Sequence, residues 1–222
     1  MKLSAVVLTK NEEKNIEKCL KSIDFCDEII VVDDYSTDKT LEEIQKLEVK
    51  SQNYKSKVKI FKKQLNKDFA FQRNYGLSKA TNEWILFIDA DEEISENLKL
   101  EIKNLKVKKN SGTWMGTVHE VFHTANKVGQ INGFLNHYPH PTLKEFINDI
   151  NYYSFIRTEE LFSRGTKTNI FEIIFFPFGK FIYNYFLNLG FLDGPAGFTY
   201  AFMMSFHSFL VRAKFYQLTN KQ

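Results

Sequence analysis

Residues 28–38, EIIVVDDYSTD, and residues 83–93, EWILFIDADEE, decide how this chain folds. Each holds a short apolar run without polar alternation, and each run ends on carboxylates. Such a run reads as a strand buried on both faces, the kind that builds parallel sheets, and the carboxyl ends of those strands open onto the crevice where the sheets take ligands. Asp33, Asp34, Asp89 and Asp91 are therefore expected along one edge. Carboxylates held together repel one another, and the arrangement becomes favourable when a divalent cation and hydrogen-bond donors sit among them. A nucleotide with its metal supplies both.

Outward from these runs the chain alternates regularly. Residues 3–8 read as a first strand, and 11–23 as a helix with Ile16, Cys19, Leu20 and Ile23 on one face. The second strand, 28–32, is followed by Ser36, Thr37 or Asp38 as the cap of a helix that carries Leu41, Ile44 and Leu47. A third strand at 58–61, a helix at 68–80 with Phe69, Leu77 and Ala80 inward, and a fourth strand at 84–88 complete a βαβαβαβ order. That order predicts an α/β domain with a mainly parallel sheet, right-handed crossovers and helices on both faces. A helix at 95–105, short strands and turns over 112–133, and a helix at 146–162 follow.

Composition narrows the function classes. A net charge of +3, with basic residues spread over ordinary helix surfaces, argues against a nucleic-acid partner. Cys19 and Cys26 lack metal-type spacing and read as reduced, buried thiols. The amino-terminal apolar stretch is too short for a signal peptide, which predicts a cytoplasmic first half. His119-Glu120-Val121-Phe122-His123 spells the zinc-peptidase pattern His-Glu-x-x-His, with His137 or His140 available as a third ligand. That pattern works only on a helix, and the flanking Gly116, Thr117 and Val118 favour a strand. A sugar-1-phosphate nucleotidyltransferase would need a glycine-rich phosphate loop after the first strand, and LTKNEE has no glycine. A phosphoreceiver domain would use a lone Asp with a later Lys rather than Asp-x-Asp.

Six segments in order carry a family resemblance: VVLTKNEEKNIEKCL (6–20), DEIIVVDDYSTDKT (27–40), FAFQRNYGL (69–77), WILFIDADEE (84–93), VHE (118–120) and GFLDGPAGF (190–198). The chain resembles the family 2 glycosyltransferases of GT-A fold, most closely the type that adds glucose to a heptose of the lipopolysaccharide core. The resemblance implies a nucleotide-sugar domain over residues 1–135, followed by a helical region over 136–222. It implies nucleotide-sugar contacts from Thr9, Asn11, Glu12, Asp33, Asp34, Arg73, Asn74 and Asp89, and direct ligation of Mg²⁺ or Mn²⁺ by Asp91. An inverting transfer of a hexose, glucose from UDP-glucose, to a glycan or glycolipid acceptor would use Glu120 as general base, with His119 beside it. The middle is short: His119 lies 28 positions after Asp91, and residues 106–114 stand where family members carry several dozen more. Either the acceptor site is rebuilt from the carboxyl-terminal half, or the chain is a nucleotide-binding relic without efficient turnover.

Residues 170–211 hold 11 of the 22 phenylalanines, and only Glu172, Lys180 and Asp193 are charged there. Gly194 to Val211 is 18 successive uncharged residues, at the lower edge of what crosses a bilayer. Pro177, Gly179, Gly190, Gly194, Pro195 and Gly197 divide the region, so interfacial or re-entrant helices are expected rather than a span. The expected location is peripheral, on the cytoplasmic face of the inner membrane. A buried helical hairpin or a homo-oligomer contact is the alternative use of so much aromatic surface.

Overall fold

A computed structural model describes residues 2–50, 54, 57–104, 112–116, 120–125, 127–138 and 142–220. The chain divides into two units, Met1–Pro139 and His140–Gln222.

In the first unit, β1 (Leu3–Thr9), β2 (Glu28–Asp33), β3 (Val58–Lys62) and β4 (Trp84–Asp89) form one sheet in the order β3-β2-β1-β4, every neighbour parallel. All residues of β1 and β2 are buried, which is why their sequences show no alternation. Side chains from alternate positions go to opposite faces. Ala5, Val7, Ile29 and Val31 meet Ile16, Cys19 and Leu20 of α1 (Ile16–Ser22), Ile44 of α2 (Thr40–Lys50) and Ile102 of the helix at Glu96–Asn104. Val6, Leu8, Ile30 and Val32 pack with Tyr75 of α3 (Phe69–Lys79). The helix Glu96–Asn104 is α4. On the α3 face the approach is close: a Cβ at Gly76 would lie 2.4 Å from Val6 Cγ1. The parallel sheet with helices on both faces is as the sequence predicts.

Two local differences from the sequence expectation have physical causes. The first helix begins at Ile16 rather than at residue 11, because Asn11 takes a left-handed φ of 57° and its side-chain oxygen accepts from the Thr37 N–H at 2.7 Å. Residues 12–15 make a turn instead, closed by Asn15 N–H to Glu12 carbonyl at 3.0 Å. Beyond β4 the chain makes short antiparallel pairs. β5 (Glu92–Ile94) pairs with β8 (Leu135–His137), and β6 (Gly112–Met115) with β7 (Val121–Thr124).

The second unit is helical. α5 (Leu143–Ser163) starts in a capping box, with Thr142 accepting from Glu145 N–H and the Glu145 carboxylate accepting in return. α6 (Ile170–Ile182) is capped by Asn169 and continues into a π-helical turn, Tyr183–Leu187. A 3-10 turn at Gly190–Asp193 leads into α7 (Gly194–Thr219), with Pro195 in its first turn. Leu161, Val211 and Phe215 form the buried cluster between α5 and α7.

At the amino end of the sheet, the buried Glu28 ties four segments. It accepts from the Ser4 hydroxyl at 2.6 Å, the Lys59 ammonium at 2.7 Å and the Thr81 N–H at 2.8 Å. Burial alone would push its carboxyl up, but the bonds from Lys59, Ser4 and Thr81 outweigh it and hold the group at about 2. A depressed folded pKa contributes stability that is present above the unfolded value near 4.5 and is lost as pH falls through about 2. Wild type is therefore expected to lose about 2–3 kcal/mol between those limits. In urea titrations across that window, Glu28→Gln should lose less, although it starts less stable at neutral pH.

Candidate active site

The strand register sets the geometry of the carboxyl edge. Thr9 pairs with Asp33 across β1 and β2, and Leu8 pairs with Asp89 across β1 and β4. Three neighbouring strands thus end on Thr9, Asp33 and Asp89, and the two carboxylate-bearing ends flank β1 at about 10 Å, two strand spacings. Thr9 is buried, and its hydroxyl has no hydrogen-bond partner among the described residues.

The loops after β1 and β2 are laced together. Both oxygens of the buried Asp33 lie 3.2 Å from the Ser36 N–H. Asp34 accepts from the Leu65 N–H at 2.9 Å with one oxygen, and its other oxygen is 3.5 Å from the Lys10 ammonium. Glu12 donates its N–H to the Thr40 hydroxyl at 2.7 Å, and its carboxylate accepts from the Asn15 amide at 2.9 Å. Tyr35 is exposed with a left-handed φ of 54°, a conformation that bulky side chains adopt at a cost.

On the β4 side the central group is Arg73 of α3. Its Nη2 lies 2.9 Å from Asp89 Oδ2 and its Nε 2.5 Å from Glu120 Oε1. The guanidinium carbon Cζ sits 5.0 Å from the Trp114 ring centroid, and that ring is wedged edge-on against Phe87 and Phe122. Asn74, expected at the nucleotide, uses its amide on β6: Nδ2 donates to the Trp114 carbonyl and Oδ1 accepts the Trp114 N–H, both at 2.9 Å. Burial pushes the Asp89 carboxyl above its ordinary range, and the neighbouring Arg73 pulls it back only in part. Burial likewise raises Glu92, whose carboxylate accepts the Asp89 N–H at 2.9 Å. Beneath them the Cys19 thiol, pushed up by burial and then by Glu92, Asp89 and Asp91, is an inert structural group.

Asp91 stands next to a residue that pattern reading gave another role. The β5–β8 pairing puts His137 opposite Glu92, and His137 Nε2 comes within 3.0 Å of Asp91 Oδ2. The Tyr138 N–H binds the Asp91 carbonyl at 2.9 Å and fixes the pairing. The sequence FLNHY at 134–138 carries no periodic signal for this strand. Among the described residues, no three His, Cys, Asp or Glu side chains converge as a self-sufficient cation site. An Asp–His pair next to carboxylates raised by burial does fit a hard divalent ion whose other ligands are diphosphate oxygens and water. Of the remaining sequence candidates, His119 lies outside the described residues. His123 is in the strand β7, so the His-Glu-x-x-His spacing does not lie on one helical face.

Comparison with known proteins shows what the chain as a whole is similar to. The profile described as "Glycosyl transferase family 2" matches residues 4–181. An uncharacterized glycosyltransferase of Rickettsia typhi is 25% identical over 268 residues, covering 99% of this chain and 88% of that one. The lipopolysaccharide core biosynthesis glycosyltransferase LpsC of Rhizobium meliloti is 26% identical over 253 residues, covering 97% and 92%. The crystal structure of S. aureus TarS residues 1–349 in complex with UDP is 32% identical, covering 46% of this chain and 31% of that one, with a TM-score of 0.39. With the family profile spanning most of its length, the chain belongs to glycosyl transferase family 2.

Proposed function

We propose that this protein transfers a hexose, glucose from UDP-glucose, to a glycan of the cell envelope such as a lipopolysaccharide core. The observation that carries the proposal is the register that ends β2, β1 and β4 on Asp33, Thr9 and Asp89, with Asp91 and His137 just beyond. The name of the Rhizobium relative supports the acceptor class. The acceptor would be a glycolipid at the cytoplasmic face of the inner membrane, met by the aromatic second unit.

Each residue has a task in this reading. The unpartnered Thr9 hydroxyl and the Asp33–Asp34 turn face the nucleoside, with Asn11 and Glu12 holding the loop that carries them. Asp91 and His137 would hold Mg²⁺ or Mn²⁺, which when bound neutralises charge on the departing diphosphate. Glu120 takes the proton of the acceptor hydroxyl as its oxygen attacks the anomeric carbon. The bond from that carbon to the diphosphate oxygen breaks with its electron pair leaving on the diphosphate, and the anomeric configuration inverts. Arg73 touches both Asp89 and Glu120, so in this state it positions the base rather than gripping phosphate.

Calorimetric titration of UDP with and without Mn²⁺ tests the donor site. Wild type should bind UDP at least about tenfold more tightly with the cation, and Asp91→Ala or His137→Ala should lose that increment. Equal affinity with and without Mn²⁺ in wild type would remove the metal role.

Turnover of UDP-glucose with cell-envelope extract tests the base. Glu120→Gln should fall by about 10²-fold or more in kcat with UDP affinity retained. Undiminished turnover assigns the proton to another group.

Arg73→Gln leaves Asp89 and Glu120 without their shared cation. Urea denaturation should show a loss of about 1–3 kcal/mol, a range lowered because Asp89 is partly open to water.

A further inference from the structure

The second unit has a charged side and an apolar side that run along one axis. α5 and α7 are parallel: the Phe146 and Tyr200 rings stack with centroids 6.4 Å apart, and further along, the Thr158 hydroxyl donates to the Val211 carbonyl at 3.2 Å. α6 runs antiparallel to α7. The Glu172 carboxylate is 3.9 Å from the Arg212 guanidinium, the Ser205 hydroxyl donates to the Pro177 carbonyl at 2.8 Å, and the Phe181 and Phe198 centroids are 5.8 Å apart. The turn joining them is compact because a Cβ at Gly197 would lie 1.9 Å from the Gly190 carbonyl.

Charge is unevenly divided between these helices, with Arg212 and Lys214 confined to the last turns of α7. α5 carries Lys144, Glu145, Asp149, Arg157, Glu159 and Glu160, whereas residues 170–211 hold only Glu172, Lys180 and Asp193. No residue of α6 is buried, and 17 large apolar side chains between 170 and 209 are exposed, Phe175 at 62% and Phe178 at 65% among them. An aqueous surface does not carry so large a contiguous apolar area without a partner.

We propose that α6 and the turn after it form a monotopic anchor, lying flat in one leaflet of a lipid bilayer with α5 on the water side. The inference deepens the membrane-acceptor reading above and rests on it. Ile170–Leu187 is 18 helical residues, about 27 Å, which by length alone could cross the hydrocarbon. Crossing is excluded by α5. That helix runs beside α7 from the level of Tyr200 to that of Val211, so an upright bundle would carry the α5 charges into hydrocarbon. Laid flat, the same bundle keeps α5 in water and sinks the α6 phenylalanines among acyl chains. Lys180, with its ammonium 5.7 Å from the Tyr183 ring centroid, then sits on the headgroup plane, where a lysine midway along a span would be costly.

The test uses the full chain and vesicles of phosphatidylcholine, alone or mixed with phosphatidylglycerol. Wild type should sediment with both. Phe175→Glu/Phe178→Glu should lower the partition coefficient at least about tenfold. Phe162→Glu, at an exposed phenylalanine on α5, should leave it unchanged. Circular dichroism checks that the variants fold. A dithionite-reducible fluorophore on Asp193→Cys should be bleached completely by dithionite added outside the vesicles. A fluorophore shielded from outside dithionite overturns the flat arrangement while leaving the membrane reading in place. Failure of wild type to bind either vesicle overturns the anchor, as does unchanged binding of the double variant. A wild-type dimer in buffer that ignores vesicles assigns the surface to a second copy instead. None of these readouts uses sugar transfer, so their failure leaves the transferase reading standing.

Discussion

A strand with no solvent face governs the first unit. All residues of β1 are buried, so both faces of the sheet must be covered and both edges of β1 must be paired. Helices α1 and α2 cover one face and α3 the other, while β2 and β4 take the edges. Once those conditions hold, the carboxyl end of β1 lies between the carboxyl ends of its neighbours. The polar residues at 9, 33 and 89 then have nowhere to be but side by side. The site follows from the burial of β1.

Electrostatics sets the second condition. Asp89, Asp91, Glu92 and Glu120 would repel one another, and Arg73 on α3 answers two of them directly. The arginine is held in turn by packing on Trp114, and Trp114 is held by the Asn74 amide through its backbone. Asn74 follows Arg73 in sequence, so one turn of α3 supplies both the cation and the brace that fixes its stacking partner. Burial still pushes the Asp89 and Glu92 carboxyls up, and Arg73 offsets it at Asp89 only in part. A ligand that brings a cation with it would offset more of that cost.

The parts of this arrangement legible from sequence are those whose signal is local. The apolar run at 29–32 announces a doubly buried strand because every residue shares the same surroundings, whereas the similar run at 85–88 forms the edge strand β4, where only Ile88 is fully buried; the aspartates that end both runs are visible in the same glance. The pairing of β5 with β8 was not legible, since EEI and LNH are too short for any period and their contact joins residue 92 to residue 137. The Arg73–Glu120 bond hid for a related reason: 47 positions separate the partners. Asn11 misled the helix boundary because its left-handed backbone depends on a partner in another loop. His123 stands in a strand, as the flanking residues of His-Glu-x-x-His already suggested.

The strand order β3-β2-β1-β4 also dictates when the molecule becomes complete during synthesis. β2 and β3 can join β1 early, but its remaining edge waits for residues 84–89, which leave the ribosome long after it does. Throughout that interval a largely apolar strand presents unpaired backbone groups, the template on which nascent chains stick to one another. Docking of β4 closes that edge and brings Asp89 and Asp91 to the others in the same event. A polypeptide stopped short of residue 84 is thus not a weakened catalyst but an adhesive fragment, and maturation of the sheet coincides with the disappearance of that template.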